Sequence, residues 1–164
     1  MSTTLAELVT SGPLSRIEAR HLFTMRLETA PIVSVGQTPN GLRRVGIVKG
    51  GTIVGDRIRG HVLGGHDWQL IRPDGSLTLD VRLVFETDQG TPVAMTYRGL
   101  RHGPREVIDR LERGESVDPG SYYFRIAPLF EADEGELGWL NRVQAVGLGH
   151  RFPDGPVYNV FEIL

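Results

Sequence analysis

Cysteine is absent from this chain of 164 residues. Its absence excludes disulfides, thiolate nucleophiles, cysteine-bound zinc and iron–sulfur clusters. Lysine is almost absent too, Lys49 being the only one. Positive charge therefore rests on arginine, whose planar fork suits carboxylates and phosphates and also serves as ordinary surface charge. The formal net charge of -2 offers no basic excess for nucleic acid, so no nucleic-acid partner is expected. No apolar run approaches the ~20 residues that span a bilayer. The start, MSTTLAELVTSGPL, lacks the basic-then-apolar order of a secretory signal, so a cytoplasmic protein without a membrane partner is expected. Walker loop, zincin helix, nucleophile elbow and EF-hand spacing are all missing. GLGHRF begins like a dinucleotide fingerprint, but Phe152 stands where its third glycine belongs. Nothing calls for a cofactor.

Strand signals dominate what is present. Residues 1–20 read as an N-terminal arm with weak helical spacing, broken at Ser11, Gly12 and Pro13. From His21 to the end, short apolar segments alternate with turn signals, among them Asn40-Gly41, Gly50-Gly51, Gly64-Gly65 and Pro73-Asp74-Gly75. In SLTLDVRLVFE, Leu77, Leu79, Val81, Leu83 and Phe85 alternate with mostly polar neighbours, the period of a half-buried strand. A helix is predicted near 104–113, with Pro104 at its first position, Gly114 at its stop and a stripe of Val107, Ile108 and Leu111. The pattern predicts an all-β antiparallel fold of about eight to ten strands in one domain, a barrel or sandwich, with one short helix. A barrel has the advantage of leaving no exposed edges.

The stretch GHVLGGHDWQLIRPDG crowds two histidines, an aspartate and a tryptophan between glycines. On a strand from 66 to 71, Asp67 and Gln69 share one face, and His66, Trp68 and Leu70 the other. Desolvation of Asp67 would raise its carboxyl pKa into a range useful for acid–base work. The plainer reading has Asp67 capping the Gly-Gly turn and Trp68 packed in the core. His61 and His66 could converge on a metal across that bend, but the spacing does not require it, so solvent-facing or hydrogen-bonded histidines are the expected reading and no metal site is predicted. Asp80 with Arg82, and Tyr123 with Arg125, are two apart and so share strand faces. Such pairs line a lumen and grip anions, or lie solvated outside. His102 and Arg105 sit beside the helix start, a position that favours anions.

Taken together, GG-x-x-x-G, G-x-DWQ, LD-x-R and YYFR-x-x-P-x-F resemble the DUF3237 family, also called UPF0311, from about His21 onward. The usual family pattern has proline before the glycine pair near DWQ and alanine after it. Leu63 and His66 stand there in this chain, so His66 adds a titratable group. The resemblance implies a calycin-like β-barrel and a homo-oligomer, with a dimer favoured. It supplies no catalytic residues.

Two readings of function follow, with a small organic molecule as the partner in both. In one, the chain is a cofactor-independent enzyme carrying out isomerisation, cyclisation or elimination on a substrate that sits beside Trp68. Asp67 is then the acid/base, His66 and His102 are further catalytic candidates, and Arg82 or Arg125 stabilises a developing oxyanion. In the other, the same cavity only binds, through Trp68, Trp139, Asp80, Tyr123 and an arginine anchor. A third option makes the apolar face from Leu77 to Phe85 an interface with another chain.

Overall fold

The computed structural model describes residues 3–164. Nine strands carry the chain: β1 (Ala19–Thr29), β2 (Val33–Thr38), β3 (Gly41–Val54), β4 (Arg59–Ile71), β5 (Leu77–Thr87), β6 (Pro92–His102), β7 (Tyr123–Ala132), β8 (Ala145–Phe152) and β9 (Gly155–Ile163). They lie in the order β1-β9-β8-β7-β6-β5-β4-β3-β2, and a further β1–β3 pairing closes the ring. The length of β3 makes this possible, since its first half pairs with β2 and its second half with β1. The result is a closed antiparallel barrel of eight strands with β2 as an extra flap. Closure leaves no barrel edge open to pairing with another chain.

Residues alternate inward and outward along each strand. On β5, Leu77, Leu79, Val81, Leu83 and Phe85 are all buried. That face is therefore core, and the reading that made it an interface with another chain is overturned. Phe23 meets Phe85 and Phe130 edge to face, both with ring centroids 6.0 Å apart, and Met25, Ile53, Val93 and Met95 complete an apolar plug. Each such side chain contributes about 1.5–3 kcal/mol by leaving water.

Gly50-Gly51 and Gly64-Gly65 lie inside long strands, β3 and β4, where turns were expected. Gly64 has φ +153°, and a Cβ on Gly65 would fall 2.2 Å from the carbonyl oxygen of Arg82. The pairing of β4 with β5 also slips between Val62 and Gly64. These glycines let the strand coil around a tight barrel instead of reversing it.

The helix expected near 104–113 is α2 (Arg105–Glu112), following the short α1 (Leu5–Thr10) of the arm. Pro104 is its N-cap, one residue earlier than expected, and Gly114 follows its end with φ +76°. Lying in the β6–β7 connection, α2 covers one end of the barrel. Val107, Ile108 and Leu111 face the core. Among the described residues, no helix is long and apolar enough to cross a membrane.

Candidate functional site

Beneath α2 the lumen turns polar. Asp67 points inward from β4 and is only 8% exposed. Its Oδ2 accepts a hydrogen bond from Gln69 Nε2 at 2.7 Å, and its Oδ1 accepts one from the Asp80 N–H at 3.3 Å. Burial pushes its carboxyl up to about 6 from an ordinary 3.8. The bonds from Gln69 and Asp80 and the charges of Arg44 and Arg101 oppose that rise without cancelling it. Tyr97 and Tyr158 stand beside it with rings 5.6 Å apart. Burial holds both phenols well above their ordinary range, and the Asp67 charge adds to it. They therefore stay protonated at neutral pH.

A chain of polar contacts leads outward from Asp67. Gln69 Oε1 accepts from Arg44 Nε at 2.8 Å, which fixes the orientation of the amide between a carboxylate and a guanidinium. Arg44 Nη1 and Nη2 donate to Glu112 of α2 at 2.7 and 3.0 Å. Arg101, from β6 and 6% exposed, donates Nη2–H to the same carboxylate at 2.5 Å. Burial draws Glu112 up, but the bonds and charges of the two arginines outweigh it and leave its carboxyl below the ordinary range. Burial also lowers Arg101, and Glu112 resists that change.

Asp67, Gln69, Tyr97, Arg101 and Tyr158 line an internal cavity of about 40 Å³, room for about two or three waters. A larger pocket of about 540 Å³ opens between α2 and the barrel mouth, lined in part by Leu42, Arg44, Ile71, His102 and Glu112. Arg101 and Leu77 line both. The cluster from Asp67 to Glu112 therefore runs from one space to the other.

Strand alternation divides the candidate residues read from the sequence. Asp67 and Gln69 do share a face, and it is the lumen. Trp68, Asp80, Tyr123 and Arg125 lie on the opposite side of the wall, where they line one outer groove of about 630 Å³. Trp68 is 56% exposed, and the aromatic groups beside Asp67 are the two tyrosines. His66 and Arg82 also face outward, paired across β4 and β5. His102 is exposed at the mouth, its ring stacked 4.9 Å from Tyr123. Trp139 lies at the opposite end of the barrel, in the β7–β8 connection, against the Arg57 guanidinium at 4.2 Å. A ligand touching Asp67 from the lumen cannot also touch Trp68, Arg82 or Arg125. Among the described residues, no three His, Asp or Glu side chains are grouped to hold a metal ion.

Tyr97, Arg101, Glu112 and Tyr158 did not emerge from the sequence. For three of them a signal was there. Tyr97 and Arg101 are in phase with Val93 and Met95, and Tyr158 is in phase with Val160, so all three share a core-facing register. Glu112 had no such signal, because its partners come from two distant strands.

Fold and site define a small closed β-barrel with a polar chamber at one helix-covered end. Residues 17–163 match the family described as proteins of unknown function, DUF3237, and the chain belongs to that family. A UPF0311 protein of Rhodopseudomonas palustris is 37% identical over 149 residues, 90% of this chain and 97% of its own. Its crystal structure superposes with a TM-score of 0.85, covering 91% of this chain and 98% of its own. A β-barrel-like protein of Acinetobacter baumannii is 33% identical with a TM-score of 0.80, covering 91% of this chain and 97% of its own. A protein of Penicillium herquei described as an enzyme shares the fold at 20% identity, with a TM-score of 0.69 and coverage of 90% and 95%.

Proposed function

We propose that the chain is a small cytoplasmic, cofactor-independent enzyme that moves protons on an organic molecule, aromatic or polyketide-like, inside the helix-covered end of the barrel. The observation that carries this reading is Asp67, a buried carboxyl raised to about 6 beside a cavity. A carboxyl of that pKa exchanges protons with substrate near neutral pH in either direction. Asp67 takes a proton from one substrate atom and returns it to another, so an isomerisation, cyclisation or elimination closes without an external reagent. Tyr97 and Tyr158 donate hydrogen bonds to the oxygen on which charge develops, and Arg101 supplies a fixed positive charge. The reacting end of the substrate occupies the internal cavity and its body the mouth pocket, since about 40 Å³ is too small for a whole organic ligand. That the Penicillium herquei protein is described as an enzyme supports chemistry on this scaffold.

A second reading rests on a different observation: Trp68, Asp80, Tyr123 and Arg125 line a single outer groove. There the protein binds a ligand without transforming it, and Asp67 plays no part. The same wall exposes Leu100, Leu129 and Leu148, and a homodimer is the other occupant that would cover it.

Native mass spectrometry of freshly purified protein reads oligomeric state and any co-purifying molecule together. With that molecule or its congeners as substrate, Asp67→Asn abolishes turnover and leaves binding intact under the first reading. Turnover equal to wild type would remove Asp67 from the mechanism. Loss of binding in Trp68→Ala, with Asp67→Asn unaffected, would favour the outer groove.

A further inference from the structure

Arg44 and Arg101 reach across the barrel mouth from β3 and β6 and converge on one carboxylate, that of Glu112. Their side chains are 15% and 7% exposed, so two like charges are held together in a poorly solvated place. Glu112 fills the fork of Arg44 but takes only Nη2 of Arg101, and the Arg101 Nε–H is buried without a partner among the described residues. A guanidinium normally offers Nε and Nη2 together to a carboxylate. The arginine pair therefore presents more donors than its present occupant accepts.

The occupant sits on a loosely held element. Of the eight residues of α2 only Leu111 is fully buried, and no side chain caps its N-terminus. Beneath it lies the mouth pocket of about 540 Å³, with Leu42, Ile71 and Ile108 beside the two arginines.

We propose that Arg44 and Arg101 form a binding site for the carboxylate of an organic ligand, and that Glu112 occupies it as an internal substitute until such a ligand displaces it and frees α2. The exchange favours anions. A neutral ligand that removed Glu112 would leave two buried guanidinium groups uncompensated, whereas a second carboxylate restores both partners and also satisfies the Arg101 Nε–H. The apolar lining of the mouth then receives the hydrocarbon or aromatic body of the ligand. This deepens the enzyme reading by naming a carboxylate-bearing substrate class, and it rests on that reading only for the chemistry that follows binding.

The test uses benzoate and its neutral analogue benzamide, titrated calorimetrically into the full chain. Glu112→Gln removes the competing charge and keeps a hydrogen-bonding side chain. Benzoate should bind this variant about tenfold to a hundredfold more tightly than wild type, with benzamide showing no such gain. Saturating benzoate should also speed amide hydrogen exchange over residues 105–113 in the wild-type protein. That second measurement stands even if the variant does not fold. Equal benzoate affinity in the two proteins, no benzoate binding to either, an equal gain for benzamide, or unchanged exchange in α2 would each overturn the proposal. Asp67→Asn leaves the arginine pair in place and benzoate binding needs no turnover, so failure of the chemistry and failure of this site are separate results.

Discussion

Asp67 makes stability depend on pH in a direction opposite to that of a salt-bridged aspartate. Its carboxyl stands at about 6 in the folded chain, against about 3.8 when solvated. Below about pH 3.8 it is protonated in both states and costs nothing. As pH rises through the interval between the two values, the unfolded chain releases the proton and the folded one retains it. The folded state then binds more protons, so stability falls with increasing pH. The full penalty, in place once pH passes the folded value, is about 3 kcal/mol. Asp67→Asn carries an uncharged group of the same shape and lacks this dependence. Urea unfolding of both proteins from about pH 3.5 to 7 should show the wild type losing about 3 kcal/mol relative to the variant, nearly all of it below about pH 6.5. Taking the difference between the two proteins removes contributions from every other titrating group. Parallel stability curves, or a wild type that gains on the variant as pH rises, would refute the desolvated-carboxyl account and with it the acid–base role.

The remaining predictions concern the barrel and its cap. Gly65→Ala should destabilise by about 2–3 kcal/mol in thermal or urea unfolding, because its Cβ would collide with the backbone of β5. Gly135→Ala, whose Cβ would meet only Asp133 Oδ2 at an ordinary 4.0 Å, should stay within about 0.5 kcal/mol. Glu112→Ala should cost about 2 kcal/mol in urea unfolding, because Arg101 is left buried without the carboxylate that accepts from its Nη2. The figure is reduced from that of a fully buried pair since Glu112 is 37% exposed. Trp68→Ala should change stability by less than about 1 kcal/mol, which an outward-facing tryptophan predicts and a core tryptophan would contradict by several-fold.

Local rules made a large part of this architecture legible. The alternation from Leu77 to Phe85 is a strand with one buried face, and it is one. The helix near 104–113 follows from its apolar stripe and its flanking proline and glycine, and α2 lies within one residue of it. The separation of Asp67 from Trp68 onto opposite faces needs only the pleat. The glycine pairs were misread because composition does not tell a reversal from a coil. Gly64-Gly65 bends a strand that continues, and only the positive φ of Gly64 and the approach of β5 to Gly65 show why no side chain fits there.

The sequence by itself determined the strands, the helix and which residues share a face, because these depend on neighbours within a few positions along the chain. It also excluded all chemistry that requires a thiol. Only the tertiary structure decided which face is the lumen, since two polar-and-apolar alternations look alike until the ring closes. Closure placed Asp67 inside with Tyr97 and Tyr158, and left Asp80, Arg82, Tyr123 and Arg125 outside. It also brought Glu112 to Arg44 across 68 positions and to Arg101 across 11. Burial, and with it the pKa of Asp67 and the partners of the buried arginines, is a property of the whole barrel, created when distant strands exclude water together.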